Sequence, residues 1–263
     1  MREITFQMRT IWACLCAGDI LLEREGADGA FSLPFGDEPP IVLHPWNIVT
    51  TLNYDDKTLK VVRLDVPVVK SERWEMMPLR ASFDVLDEES YALAGKAAEL
   101  IYWDQNSKYC GCCGAPMKFE TEISKRCTEC GKELWPQLAT AVIVRVTKAD
   151  QVLLVHANNF RRPYYGLVAG FVETGETLEG AVQREVREET GLEITNIRYF
   201  GSQPWPYPCG LMVGFTADYV SGDIHLQRSE LSQGGWFTRD AMPPIPGKSS
   251  IARRLIDDWL NKG

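Results

Sequence analysis

The chain has 263 residues, 45% hydrophobic and 24% charged, with 28 basic and 36 acidic side chains for a formal net charge of -8. That length allows one large domain or two small ones with a sizeable core, so disulfide stapling is not needed for size. The acidic balance argues against a general nucleic-acid coat or a polybasic membrane binder, and no apolar run approaches the roughly 18 residues of a spanning helix.

In chain order, Ile11 to Ala17 is a short apolar run preceded by Arg2 and Arg9, the outline of a leader. Glu3 breaks the basic region and Asp19 follows closely, so a strand is expected and the cytoplasm is the default compartment. Further strands are expected at Ile41–Leu43, Ile48–Leu52 and Leu59–Val66, interrupted by Pro45–Trp46 and by Tyr54 to Lys57. Ala92, Leu93, Ala97, Leu100 and Ile101 recur at helical intervals and predict a helix over Asp87 to Trp103. Residues 1–106 carry 10 basic and 18 acidic side chains and therefore the whole net charge of -8, yet no motif for chemistry appears in them.

Residues 107–136 have a different character. Of eight cysteines, five fall within 21 residues, and a secreted disulfide framework would spread them along the chain. Cys110-Gly-Cys-Cys113 and Cys127-Thr-Glu-Cys130 are two C-x2-C pairs, which supply four thiolates to one tetrahedral Zn²⁺. Cys112 does not preserve the two-residue gap and reads as a bystander. Four closed positions leave no opening for water, so one structural zinc per chain is expected. The alternatives are a reduced loop without metal and a zinc-ribbon nucleic-acid module; the segment's net charge of +1 is weak support for the latter.

From residue 137 strands and helices alternate. A hairpin is expected from Ala141–Val146 and Gln151–Val155, a helix over about Thr177 to Thr190, strands at Ile194–Gly201, Leu211–Tyr219 and Gly235–Thr238, and a closing helix over about Ser250 to Leu260. No internal repeat is visible. Gly170 to Leu192 holds six acidic and two basic residues. With Leu178 set at 0° on a helical wheel, Val182 and Val186 fall at about 40° and 80° and form an apolar stripe. Glu185 and Glu189 fall at about 340° and 20°, on the edge of that stripe, and Glu188 at about 280°. Carboxylates three and four residues apart repel, and burying them without a partner is costly. Divalent cations resolve both problems, and hard oxygen ligands suit Mg²⁺ or Mn²⁺. The competing reading is a solvated acidic face paired with Arg184 and Arg187.

Gly170, five residues, Glu176, seven residues and then Arg184-Glu-Val-Arg-Glu-Glu-Thr-Gly-Leu192 resemble the complete box of the Nudix hydrolases. Ser202-Gln-Pro-Trp-Pro-Tyr-Pro208, ten residues past the box, resembles the signature of the NADH pyrophosphatase (NudC-type) branch, with Tyr207 where a Phe is usual and Gly210 where a Ser is usual. A zinc ribbon ahead of the Nudix domain, Pro136-Gln137 and Ala252-Arg-Arg-Leu-Ile256 fit the same branch. The resemblance implies an α+β chain: a Nudix α/β/α sandwich with a mixed sheet (137–263), a zinc ribbon (107–136) and a small β-rich N-terminal domain (1–106).

The resemblance also implies roles. Glu185, Glu188 and Glu189 are catalytic, and together with Glu230 and the carbonyl of Ala169 they hold Mg²⁺ or Mn²⁺. Gly170, Glu176, Arg184 and Gly191 shape the box. Phe171 stacks on the nicotinamide, and Trp135 completes the sandwich from the partner of a homodimer. Gln203, Pro204, Trp205, Pro206, Tyr207, Pro208, Cys209 and Gly210 form the substrate loop, stiffened by its prolines, and Arg80, Glu122 and Ala252 align more loosely with substrate contacts. The implied reaction is hydrolysis of NAD(H) to NMN(H) and AMP, extending to NAD at the 5′ end of RNA, with no membrane partner. The rivals are an ADP-ribose or general dinucleotide pyrophosphatase and, from another class, a non-catalytic nucleotide sensor or nucleic-acid binder.

Overall fold

The computed structural model describes residues 9–26, 29–160 and 163–262; Arg2 and Glu3, weighed above against a leader, lie outside them. The chain divides into two compact units, residues 1–137 with 206–209, and residues 138–205 with 210–263.

In the first unit β1 (Arg9–Cys16), β2 (Asp19–Glu25), β3 (Ala30–Ser32), β4 (Ile48–Asn53) and β5 (Lys57–Arg63) form a sheet in the order β3-β2-β1-β5-β4, and β6 (Trp74–Pro78) adds to β2. The β1–β5 pair is parallel. Side chains alternate across β1, so Ala13 and Leu15 enter one core while Trp12 and Cys14 enter another on the opposite face. The first face is covered by α1 (Glu88–Asn106), whose Leu93, Ala94, Ala97, Leu100 and Ile101 are buried. Asp87 caps α1 by accepting a hydrogen bond from Ser90 N, and Glu88 and Glu89 suit the positive end of the helix dipole. Ile41–Leu43, expected as a strand, is irregular backbone that lays Ile41 and Leu43 over the second core. Its β-prone side chains serve burial, and Pro39, Pro40 and Pro45 around it withhold ladder donors.

The cysteine segment forms a small sheet of β7 (Met117–Thr121), β8 (Ser124–Cys127) and β9 (Glu133–Leu134). Its own apolar cluster is little more than Cys110, Met117 and Cys127, with Ala115 and Leu134 partly buried.

The second unit is a three-layer sandwich. Strands β10 (Ala139–Lys148), β11 (Gln151–Ala157), β13 (Glu193–Trp205), β14 (Gly210–Ser221) and β15 (Leu231–Phe237) run in the order β13-β14-β10-β11-β15, with β12 (Val168–Phe171) paired to β10. The central β10–β14 pair is parallel and the rest antiparallel, which makes the sheet mixed. Val142, Val144 and Val146 of β10 pack with Ala181, Val182 and Val186 of α2 (Leu178–Thr190), whereas Ile143 faces Leu255, Ile256 and Trp259 of α3 (Ile251–Leu260). Ser202–Trp205, expected as part of a loop, continues β13. Pro204 is tolerated because β13 is the edge of its sheet. Only Pro206–Cys209 form the turn, with Tyr207–Pro208 cis.

Arg145 also points to the α3 face of β10, where an apolar residue is the default. It is 8% exposed and donates from Nη1 to Leu255 O and to Asp258 Oδ2, both at 2.8 Å. A buried guanidinium so placed fixes the last turn of α3. Arg145→Ala removes both bonds and leaves Asp258 with Lys262 alone, and the expected loss of stability is about 2 kcal/mol, read from chemical denaturation.

Candidate active site

The site is built where α2 meets β12. Thr177 Oγ1 accepts from Gly180 N to start the helix, and Gly191 ends it in the left-handed region at φ 75°. The stripe that buries Val182 and Val186 also buries Glu185 and Glu189, which are 8% and 4% exposed. Glu188, on the neighbouring face, is exposed, as is Glu230.

Gly170 permits the burial of Glu185. A Cβ at Gly170 would overlap the Glu185 carboxylate, so only glycine lets the strand and the acid approach this closely. Arg184 is the organising cation. It donates from Nε to Glu176 Oε1 at 2.6 Å and from Nη2 to Glu176 Oε2 at 2.9 Å, a bidentate pair. Nη2 also donates to Phe171 O at 2.9 Å, and Nη1 to Glu185 at 2.8 Å and to Glu188 at 3.1 Å. The Arg184 hydrogen bonds, with the backbone N–H of Glu173, hold the Glu176 carboxyl down at about 2.

Glu189 is in the opposite situation. Burial pushes its carboxyl up to about 8, and the charges of Glu185, Glu230 and Glu188 add to the shift. Burial likewise raises Glu185, against the pull of Arg184. Glu230 belongs to this group although it is distant in sequence. The loop carrying it is fastened to the end of α2 by His225 N donating to Thr190 O and Gln227 N donating to Glu189 O, both at 2.9 Å. Asn158 secures the loop by donating from N to Glu230 O and from Nδ2 to Arg228 O and Ser229 O. Gln227 and Asn158 carried no sequence signal, because their role is visible only once β11 and the loop are placed. The four acids lie near enough to act on one another and are hard oxygen donors of the kind divalent cations prefer, but among the described residues only the cysteine sulfurs are gathered as a ligand set.

The second predicted metal site is geometrically simple. The sulfurs of Cys110, Cys113, Cys127 and Cys130 lie within 4.8 Å of one another, with Cys110–Cys130 at 3.6 Å and Cys113–Cys127 at 3.4 Å. A tetrahedron of sulfurs about 2.3 Å from one ion has edges of about 3.8 Å, so this cluster can hold a zinc ion. Backbone N–H groups of Cys112 and Cys113 lower the Cys110 thiol to about 6, and those of Cys130 and Glu129 lower Cys127. Cys112 is outside the four, its sulfur accepting from Lys132 Nζ at 3.3 Å.

The remaining expected residues are dispersed. Phe171, at the end of β12, is 65% exposed, and Trp135 is 48% exposed. Ala252 is buried in α3, and Glu122 O accepts from Thr50 Oγ1 at 2.8 Å. Both ends of the Gln203 amide are occupied at the start of α3: Nε2 donates to Ser249 O and Oε1 accepts from Ile251 N. A side chain at Gly210 would be crowded, since a Cβ there would lie 3.0 Å from Trp205 O. Within the first unit the Tyr207 hydroxyl is 2.7 Å from that of Tyr91, and Arg80 lies over the Tyr207 ring. Tyr91 was missed, although a half-buried tyrosine in place of a phenylalanine calls for a hydroxyl partner.

The profile of the Nudix domain matches residues 135–259, and that of the NADH pyrophosphatase-like rudimentary Nudix domain matches residues 9–103. The NAD-capped RNA hydrolase NudC of Pseudomonas aeruginosa (strain LESB58) is 40% identical over 210 residues, 79% of this chain and 75% of that protein. Its namesake in Escherichia coli (strain K12 / DH10B) is 41% identical over 194 residues, 73% of this chain and 75% of that protein. Among solved structures, a Nudix hydrolase from Nitrosomonas europaea superposes with a TM-score of 0.51 at 22% identity, covering 59% of this chain and 91% of its own, which shows the shared fold. The chain belongs to the Nudix family of pyrophosphohydrolases, in its NADH pyrophosphatase-like, NudC-type branch. The N-terminal part, silent in sequence, is thereby a rudimentary Nudix domain.

Two outcomes test the geometry. Gly170→Ala is expected to drive the Glu185 carboxylate from its place and lower turnover at least 100-fold while α2 stays folded, checked by circular dichroism beside kinetics. The second concerns pH. Glu189 binds its proton more tightly folded, at about 8, than unfolded, near 4.3. The metal-free protein is therefore stabilised by Glu189 protonation at low pH and loses that contribution as pH rises from about 5 through 8. Glu189→Gln is expected to flatten this decline in melting temperature; an unchanged slope would refute the assignment.

Proposed function

We propose that this protein hydrolyses the pyrophosphate bond of NAD(H), giving NMN(H) and AMP, and removes the same dinucleotide from the 5′ ends of RNA. The observation that carries the reading is the pair of buried box glutamates, Glu185 and Glu189, joined by exposed Glu188 and Glu230, in a chain about 40% identical to NAD-capped RNA hydrolases over most of its length.

In this reading the chain has an N-terminal domain (1–106), a ribbon (107–136) and a catalytic domain (137–263). Glu185, Glu188, Glu189, Glu230 and the carbonyl of Ala169 hold Mg²⁺ or Mn²⁺. When bound, such ions polarise phosphoryl oxygens and bring the pKa of a bound water toward neutrality. The protein's own contribution is orientation. Arg184, locked by Glu176, holds Glu185 and Glu188 and fixes the carbonyl of Phe171. Buried Glu189 would have to lose its proton to serve as a ligand, so affinity for a divalent cation is expected to rise with pH up to about 8. Phe171 and Trp135 offer exposed rings to the nicotinamide, Trp135 from the second subunit of a homodimer. Zinc on the four cysteines is structural, since the ribbon's own core is too small to hold it folded. The compartment is the cytoplasm.

The test is a panel of NADH, NAD⁺, ADP-ribose and NAD-capped RNA, with and without Mg²⁺ or Mn²⁺. Cation-dependent release of NMNH and AMP from NADH is expected, together with removal of the cap, and Glu189→Gln should lower kcat by two or more orders of magnitude. A clear preference for ADP-ribose, or near-normal turnover in that variant, would overturn the reading.

A further inference from the structure

Away from the glutamates, the first unit has a cavity of about 370 Å³ whose wall is both basic and aromatic. Four cations line it, Arg63 on β5, Lys108 after α1, Lys118 on β7 and Lys125 on β8, against one acid, Asp104. Asp104 is already shared, accepting from Lys108 at 2.6 Å and from Lys125 at 2.8 Å. Lys125 is 2% exposed and donates also to Ser107, so it belongs to the scaffold. Arg63 and Lys118 have no carboxylate partner among the described residues. A cavity with uncompensated positive charge is the kind of place that attracts an anion.

The aromatic wall says which anion. Trp46 is 63% exposed and stacks flat on His44, with centroids 4.3 Å apart and planes 11° apart, which leaves its other face open. Phe119 is 39% exposed and held edge-on by Trp103. A flat exposed ring beside unpaired cations is the pattern that takes a base and its phosphate. The volume lies at the small end of the roughly 300–1,000 Å³ of ligand pockets, enough for about one nucleotide.

We propose that this hollow binds a nucleotide of single-stranded RNA, its base stacked on Trp46 and its phosphates on Arg63 and Lys118, as a site for the RNA body separate from the glutamate cluster. The inference rests on the reading that capped RNA is a substrate, but it is tested apart from it. Fluorescence anisotropy with the full-length, zinc-loaded protein would follow an uncapped single-stranded oligoribonucleotide across salt concentrations, with AMP and inorganic phosphate as competitors. Arg63→Gln with Lys118→Glu is expected to raise the Kd at least tenfold and to reduce the slope of log Kd against log salt by about 1.4, the value for two lost contacts to a single strand. Trp46→Ala, an exposed position, is expected to weaken binding about tenfold and serves if the double variant does not fold. The kcat/KM for NADH should not change, whereas that for NAD-capped RNA should fall with affinity.

Wild-type RNA affinity in these variants, no binding by the parent protein, or competition by AMP at the oligonucleotide's own affinity would overturn the proposal. Equal decapping by parent and variants would sink the hollow and leave the proposed function standing. RNA binding through the hollow with an untouched cap would do the reverse.

Discussion

Two carboxylates kept out of water are the constraint around which the second unit is arranged. Glu185 and Glu189 stand on the stripe of α2 that also carries Val182 and Val186, so the packing that holds the helix to the sheet also desolvates the acids. Desolvated charge is unfavourable, and the surroundings answer it piece by piece. Gly170 gives up a side chain, Arg184 supplies a cation to Glu185, and Glu189 keeps a proton. The answer is incomplete, since Glu230 and Glu188 still add their charge to the burial that raises Glu189.

The framework is stiff because its central strand has no solvent face. β10 buries valines beneath α2 and Ile143 with Arg145 beneath α3, while pairing with β14, β11 and β12. A displacement of β12, which carries Ala169 and Gly170, must disturb that ladder. The same alternation organises the first unit around β1, so both units are mixed sheets with cores on two faces.

The box was legible because its information is local: one period of 3.6 residues placed Val182, Val186, Glu185 and Glu189 together, and Thr177 and Gly191 marked the helix ends. The two cysteine pairs were legible for the same reason. Ser202–Trp205 misled because prolines ordinarily break strands, and only an edge position, which depends on the whole sheet order, excuses them. Ile41–Leu43 misled because β-prone residues also serve as irregular cover for a core. Gln203 looked ready for a ligand, but its amide is engaged by backbone 46 and 48 residues away. The basic hollow was invisible for the plainest reason. Its residues come from five separate stretches, and three of its four cations lie in the segment 107–136, whose summed charge is only +1.

The turn between β13 and β14 has a consequence for dissecting the chain. Pro206 packs against Gly95, where an added Cβ would lie 3.1 Å from its Cγ, and Tyr207 meets Tyr91, so four residues numbered within the catalytic stretch belong to the first unit. No single cut separates the two units. A fragment starting at Leu138 would carry a bared proline and a tyrosine stripped of its partner, and one ending at Gln137 would have a vacancy above Gly95.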